Sequence, residues 1–315
     1  MFQSILSFFR GVIGTRGLKL ELDYQEKMLW QLKDELHLLR YDTRRNSLLD
    51  HILHDIEKGI STERYCQHEV IVSLTTYGKR IHEVALSIES LMQQSMKANR
   101  IVLWLDESYK GKPLPNLLVM QQKRGLEIAY CTDIRSFTKL IPQMRTTPDA
   151  VIITIDDDIL YDYDVLEHLI LAYLKSPHMI HSCRVHRMLF DSNGKLMPYN
   201  QWDSRCSQLG TDKCNFLTGV GGVLYPPHSL DDEVFNQNVF SDICPDADDV
   251  WFTAMAIKKG TPINKVFTRN EHGEDDIENP HALEQGLAVK NVVQGGNDRQ
   301  IKAVFEKYKL YDKLI

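Results

Sequence analysis

Eight residues, Val151-Ile152-Ile153-Thr154-Ile155-Asp156-Asp157-Asp158, constrain this chain more than any other stretch. Five apolar or β-branched residues in a row suit a strand buried on both faces. Three carboxylates follow where that strand must surface. Like charges packed at one point repel unless a cation shares them. Hard oxygen donors of this kind suit Mg²⁺ or Mn²⁺, which take one or two protein carboxylates plus substrate phosphates. In open α/β sheets such sites lie at the carboxyl ends of strands. A polar turn or an acidic helix start would use the same three residues without a ligand.

The neighbouring texture repeats the strand and adds helices. Val70 to Leu74, Arg100 to Leu105 and Leu126 to Tyr130 read as three earlier strands, with helices over Ile81 to Gln94, Phe137 to Met144 and Asp164 to Leu174. Strands alternating with helices predict βαβ units, an α/β fold and a mainly parallel sheet. After Lys175 the pattern loosens into a strand over Met179 to Arg184 and a turn at Asp191-Ser192-Asn193-Gly194. The glycine-rich Asn215 to Tyr225 follows, then a helix over Asp246 to Lys259, a strand over Ile263 to Phe267 and a last helix from Asp298. Three parts are expected: residues 1–17, a helical extension over 18–64 and a catalytic domain over 65–315.

The 315 residues carry a net charge of −6, which gives no reason to expect a nucleic-acid partner. The cysteines form no C-x-x-C pair, as expected of reduced thiols in a cytoplasmic protein. No stretch approaches the roughly 20 apolar residues that span a bilayer. Phe2, Ile5, Leu6, Phe9, Val12 and Ile13 nonetheless repeat at helical spacing beside Arg10 and Arg16. Residues 1–17 therefore suit an interfacial helix on the anionic inner face of the cell membrane, and equally a helix docked on protein. Leu22, Leu29, Leu32, Leu36 and Leu39 occupy heptad a and d positions, with Gln25 as the polar break. A homodimerising stalk over residues 18–60 fits that pattern, as does a helix packed on its own domain.

The order of these motifs resembles the GT-A fold of bacterial family-2-like glycosyltransferases. It rests on Ser73-Leu74-Thr75-Thr76-Tyr77-Gly78-Lys79-Arg80 after the first strand, Asp106 after the second, Asp156-Asp157-Asp158 after the fourth, and Asp246-Ala247-Asp248-Asp249-Val250-Trp251-Phe252. The likeness covers about residues 69 to 300. It implies a nucleotide-sugar-binding sheet with helices on both faces. It also implies a metal-dependent, inverting transfer from a UDP-sugar to a glycan or lipid-linked saccharide in surface polysaccharide synthesis. Thr75, Thr76, Tyr77 and Arg80 are then similar to the loop around base and ribose, and Asp106 to the carboxylate that reads uracil. Asp156 and Asp158 match the Asp-x-Asp pair on Mn²⁺ or Mg²⁺, with Asp157 on the nucleotide side and His272 as a further ligand. Asp249 matches the general base, and Asp248 stands where the family usually has Glu.

Other residues have two readings each. Lys139 and Arg145 suit the diphosphate or plain solvation. Gly221 and Gly222, in Thr218-Gly219-Val220-Gly221-Gly222, suit close approach to a donor or acceptor sugar, or a bulged strand. Trp202 suits sugar stacking or the core. Two other classes compete with the transferase. Asp156-x-Asp158 also follows the nucleophile pattern of haloacid-dehalogenase-like phosphohydrolases, yet that motif belongs after the first strand of its sheet. A non-catalytic scaffold is the third class, and the intact Asp156, Asp158 and Asp249 weigh against it.

Overall fold

The computed structural model describes residues 2–268, 277–280, 291 and 295–314, with the side chains of residues 2–18 left aside. Two compact units divide the chain, Met1–Asn46 and Ser47–Ile315. One continuous helix, α1 (Phe2–His54), makes up the first and ends in the second. The segments expected over 1–17 and 18–64 both fall largely on this helix, and the second unit begins at Ser47. The reason lies in Leu48 and Ile52, which are fully buried and belong to the second unit's core. In the first unit the heptad leucines Leu22, Leu29, Leu32, Leu36 and Leu39 are exposed.

In the second unit the expected alternation appears in order: β1 (Val70–Thr75), α2 (Val84–Met92), β2 (Arg100–Asp106), α3 (Asn116–Lys123), β3 (Leu126–Cys131), α4 (Ile141–Thr146) and β4 (Val151–Thr154). Next come the short β5 (Ile159–Leu160) and α5 (Val165–Lys175). The strands β1 and β4 are buried along almost their whole length, as their unbroken apolar runs require. A buried ion pair stiffens one flank: Arg124 meets the fully buried Glu89 at 2.8 Å, and Gln121 donates to the same carboxylate at 3.0 Å. Pairing fills the acid's lone pairs, which a lone buried carboxylate could not do.

Past Lys175 the strands shorten: β6 (Ile180–Ser182), β7 (Val185–Arg187), β8 (Gly210–Thr211), β9 (Asn215–Leu217) and β10 (Val223–Tyr225). The chain then runs through α6 (Gln237–Ile243), α7 (Asp248–Lys259), β11 (Ile263–Lys265), β12 (Ile277–Glu278) and α8 (Gly296–Tyr308). The main sheet has the order β3-β2-β1-β4-β10-β6-β11-β8. It is an α/β sheet, parallel on one side and mixed on the other. The strand β10 runs antiparallel to both β4 and β6, and β8 antiparallel to β11. Parallel pairing needs a crossover of a dozen or more residues, usually helical. No such helix separates β6 from β10, so the chain returns antiparallel. That return matters for function. At the end of β4, Thr154 pairs with Ser73 of β1 on one side and Val223 of β10 on the other. The glycine-rich approach to β10 therefore lands beside the acid turn.

Candidate functional site

The acid turn is held from behind by neutral and cationic groups. Thr76 donates its hydroxyl to Asp157 Oδ2 at 2.5 Å, and Ser87 Oγ donates to the Asp157 carbonyl at 2.9 Å. Arg80 bridges the turn, 2.9 Å from Asp157 and in contact with Asp158 through its other amino group. Asp157 is buried, whereas the side chains of Asp156 and Asp158 are 28% and 27% exposed. The outer two can meet a ligand. Asp157, read from the sequence as a nucleotide contact, is held inward by Thr76 and Arg80 as an anchor of the turn. Thr75, Thr76 and Arg80 are likewise engaged inward, Thr75 donating to the Trp104 carbonyl at 3.0 Å. Tyr77 is exposed next to them. Asp106 ends β2 and accepts the Ser108 N–H at 2.9 Å, which begins a short helical turn.

The second acid cluster opens α7, where carboxylates favour the positive end of the helix dipole. Asp248 and Asp249 occupy its first turn, and neither side chain caps it. The simple capping alternative therefore fails. Asp249 Oδ1 instead accepts the Gly219 N–H at 2.9 Å. In the same loop Gly222 donates its N–H to the Gly219 carbonyl at 2.9 Å, closing the turn before β10.

Lys139 joins the two clusters. It lies at the end of a short helical turn before α4, buried, with its ammonium 2.7 Å from Asp156 Oδ1 and 3.0 Å from Asp248 Oδ2. The first contact is a hydrogen bond and the second an ion pair whose angle is too poor for one. Burial opposes the lysine's charge, but Asp156, Asp248 and Asp249 overcome it and hold its pKa well above the ordinary value. So Lys139 is a bridge between acids, where the sequence suggested a diphosphate contact. Arg145 donates to the Phe235 carbonyl at 3.1 Å, away from both clusters.

Among the described residues, carboxylates still outnumber cations. Asp156, Asp157, Asp158, Asp248 and Asp249 face Lys139 and Arg80. Burial, then Asp156, pushes the Asp158 carboxyl up to about 6. Burial, then Asp248, pushes Asp249 up to about 7 against the pull of Lys139 and the Gly219 N–H. Part of Asp249's surface remains open. An acid with its pKa near neutrality, reachable from outside, is suited to accept a proton.

Gly219 makes this approach feasible. A Cβ there would lie 2.6 Å from Lys139 Nζ and 3.2 Å from Asp249 Oδ1. Gly219→Ala should therefore separate the lysine from its acids and cost about 1–3 kcal/mol of stability, the usual range for overpacking. Urea unfolding checks it, and a loss below about 0.5 kcal/mol would mean the loop gives way freely.

The remaining candidates divide. Gly221 and Gly222 do border the site through the loop that holds Asp249. Trp202 does not serve as a stacking face: it is 6% exposed, packed on Tyr199 and Phe216, and its ring N–H donates to the Met197 carbonyl at 2.8 Å. Aromatic residues this enclosed belong to the core. His272 lies outside the described residues. Missed by sequence reasoning were Ser87, Tyr161 and Arg184. The buried Tyr161 hydroxyl accepts the Asp156 N–H at 2.8 Å and donates to the Val220 carbonyl at 3.1 Å, joining acid turn to glycine loop.

A divalent cation fits the site in charge and in donor type. Among the described residues no three ligating side chains converge on one point. A hard cation that also binds phosphate needs only one or two carboxylates, and Asp156 and Asp158 are the open ones.

No family model matches the chain. No curated protein sequence matches it either. Solved structures do show similarity. One is CMP:2-keto-3-deoxy-manno-octonic acid synthetase complexed with CTP, 12% identical over 71% of this chain and 98% of that one, TM-score 0.39. Another is residues 1–349 of S. aureus TarS in complex with UDP, 11% identical over 62% of this chain, TM-score 0.39. The match spans 57% of that TarS chain. These are distant likenesses of form, and the nucleotides belong to those proteins.

Proposed function

We propose that the chain is a metal-dependent, inverting glycosyltransferase that moves a sugar from a UDP-sugar to a glycan or lipid-linked saccharide in surface polysaccharide synthesis. The observation that carries this reading is Lys139, which draws the acid turn of β4 and the first turn of α7 into one site. One cluster then serves the leaving group and the other the acceptor. A divalent cation held by Asp156 and Asp158 would neutralise charge developing on the departing diphosphate. Asp249 takes the proton of the acceptor hydroxyl as its oxygen bonds to the anomeric carbon and the bond to UDP breaks. Base and leaving group on opposite faces give inversion, by analogy with inverting hydrolysis. The phosphohydrolase reading gains nothing, since Asp156 follows the fourth strand of the chain.

A panel of UDP-sugars with Mn²⁺, read as stabilisation against heat and as UDP release in the presence of saccharide acceptors, tests the proposal. No stabilisation by any member would end it. Asp158→Asn should weaken Mn²⁺-dependent UDP binding by at least the roughly 10-fold to 100-fold that loss of a supporting group costs a metal site. Calorimetric titration checks this, and unchanged affinity would remove Asp158 from the metal.

The protein is placed, within the same proposal, in the cytoplasm and peripherally on the inner membrane face, paired with a second copy through residues 18–60. No described helix is long and apolar enough to cross a membrane. Removing residues 1–17 should release the protein from anionic vesicles while UDP binding persists. Equal sedimentation of full and shortened chains would place the anchor elsewhere.

A further inference from the structure

A cationic group lies against the glycine loop, and the chemistry above leaves it unused. Arg184 sits between β6 and β7. Its carbonyl accepts three bonds, from Ser182 Oγ at 2.6 Å and from Thr218 N and Oγ1 at 3.2 Å each. Its stem lies against Gly221, where an added Cβ would come within 2.7 Å of Arg184 Cβ. The arginine is thus fixed to the same loop whose Gly219 N–H holds Asp249, and it feels the charges of Asp249 and Glu278.

Arg205 approaches from the next segment. Its backbone adopts a left-handed φ of 54°, and its N–H donates to His186 Nδ1 at 2.9 Å. An accepting Nδ1 means a neutral imidazole protonated on Nε2. The Arg205 guanidinium is 3.7 Å from Glu278 Oε1, an ion pair longer than a hydrogen bond.

The two guanidinium groups and the imidazole lie close enough to act on one another. Burial and then Arg205 lower the pKa of Arg184. Burial, then Arg184, then Arg205, push His186 down to about 4, against a smaller opposing pull from Asp203. Arg184 Nε is buried and, among the described residues, makes no hydrogen bond. A buried donor left unmade is costly, and a guanidinium fork suits phosphate or carboxylate oxygens.

We propose that Arg184 and Arg205 form a subsite for an oxyanion, a phosphate or carboxylate, carried by the acceptor next to the hydroxyl that meets Asp249. The word acceptor rests on the transferase reading, whereas the oxyanion site stands without it. The donor's diphosphate offers the same chemistry from the other side. The acceptor is favoured because Arg80 and Lys139 already serve the acid turn, while Arg184 is tied to the loop of Asp249. Tyr199, which also feels the charges of Asp249 and Arg184 and bonds Asn297, flanks the same place.

The test uses the full chain with Arg184→Gln and Arg205→Gln. The Arg205 side chain is 38% exposed, so its variant should fold even if the other does not. Glucuronate, glucose 6-phosphate and glucose are titrated with UDP present, following the His186 imidazole by NMR, and UDP is titrated separately. The two acidic sugars should bind at least tenfold more tightly than glucose and raise the pKa of His186. Each variant should lose that advantage and keep its UDP affinity within twofold. Equal loss of UDP affinity would assign the pair to the donor's diphosphate and overturn the proposal. So would acidic sugars that bind no better than glucose, or variants that bind them as the native protein does. Acidic sugars bound tightly by a protein that ignores UDP would uphold the oxyanion site and end the transferase reading.

Discussion

Asp249→Asn should slow sugar transfer by roughly 10² to 10⁴, the usual contribution of a placed base. Size and shape are kept, and an amide oxygen can still accept the Gly219 N–H. Only proton-accepting capacity is lost. Asp249 is bonded to the glycine loop and is assigned no part in holding the metal, so UDP and Mn²⁺ should bind within about twofold of the native affinity. The pH profile supplies an independent readout. With its acid at about 7, the native protein should gain activity as pH rises through neutrality, and the variant should lose that limb. Stability should move the opposite way. The pKa is raised above the unfolded aspartate value, so ionising the partly buried acid costs folding energy as pH climbs above that value, until the folded pKa is passed. The variant should therefore gain stability relative to native between about pH 4 and 7. Loss of UDP binding in Asp249→Asn, with transfer lost in Asp248→Asn alone, would show that the base is Asp248.

Lys139→Met should be the most damaging single change to the fold near the site. It removes the cation between Asp156 and Asp248 and leaves acids without their partner in a low-dielectric place. Breaking a buried pair from one side typically costs 3–5 kcal/mol. Urea unfolding with native slope should report that loss. A cost under about 1 kcal/mol would mean that water or rearrangement already screens the acids. Neutralising the partner as well should recover part of the stability: Lys139→Met with Asp248→Asn should unfold later than Lys139→Met alone.

The parallel half of the sheet could be read from the sequence because continuous apolar runs have few alternatives. Val70 to Leu74 and Val151 to Ile155 must be buried on both faces. Asp156 could be singled out for a related reason, since acids that end such a run have little else to explain them. Asp249 follows no such run and was picked out only by the likeness of its motif. The mixed half was harder. Strands of two or three residues such as β8 and β10 carry no periodicity, and only their partners define them. Lys139 was noticed but misplaced, because the acid it meets at one end lies 17 positions away and the other more than 100. Its flanks, Phe137 and Leu140-Ile141, were the available signal that this lysine is enclosed. Arg184 and His186 alternate with Cys183 and Val185, which reads as an ordinary half-exposed strand. Trp202 went the other way, since a tryptophan between polar residues reveals nothing of the aromatic cluster that closes over it.

Tyr161 has a consequence for how the site works. One hydroxyl accepts from the Asp156 main chain and donates to the Val220 main chain. Backbone is tied to backbone, so the acid turn and the glycine loop share a rigid floor instead of closing on one another as separate jaws. Under the transfer proposed above, the positions of the leaving group's charge and of the acceptor's proton would be fixed before either substrate arrives. Dipoles set in advance leave little reorganisation for the moment of reaction. Turnover would then follow how well each substrate is seated, with the chemical step itself needing no motion between the two halves.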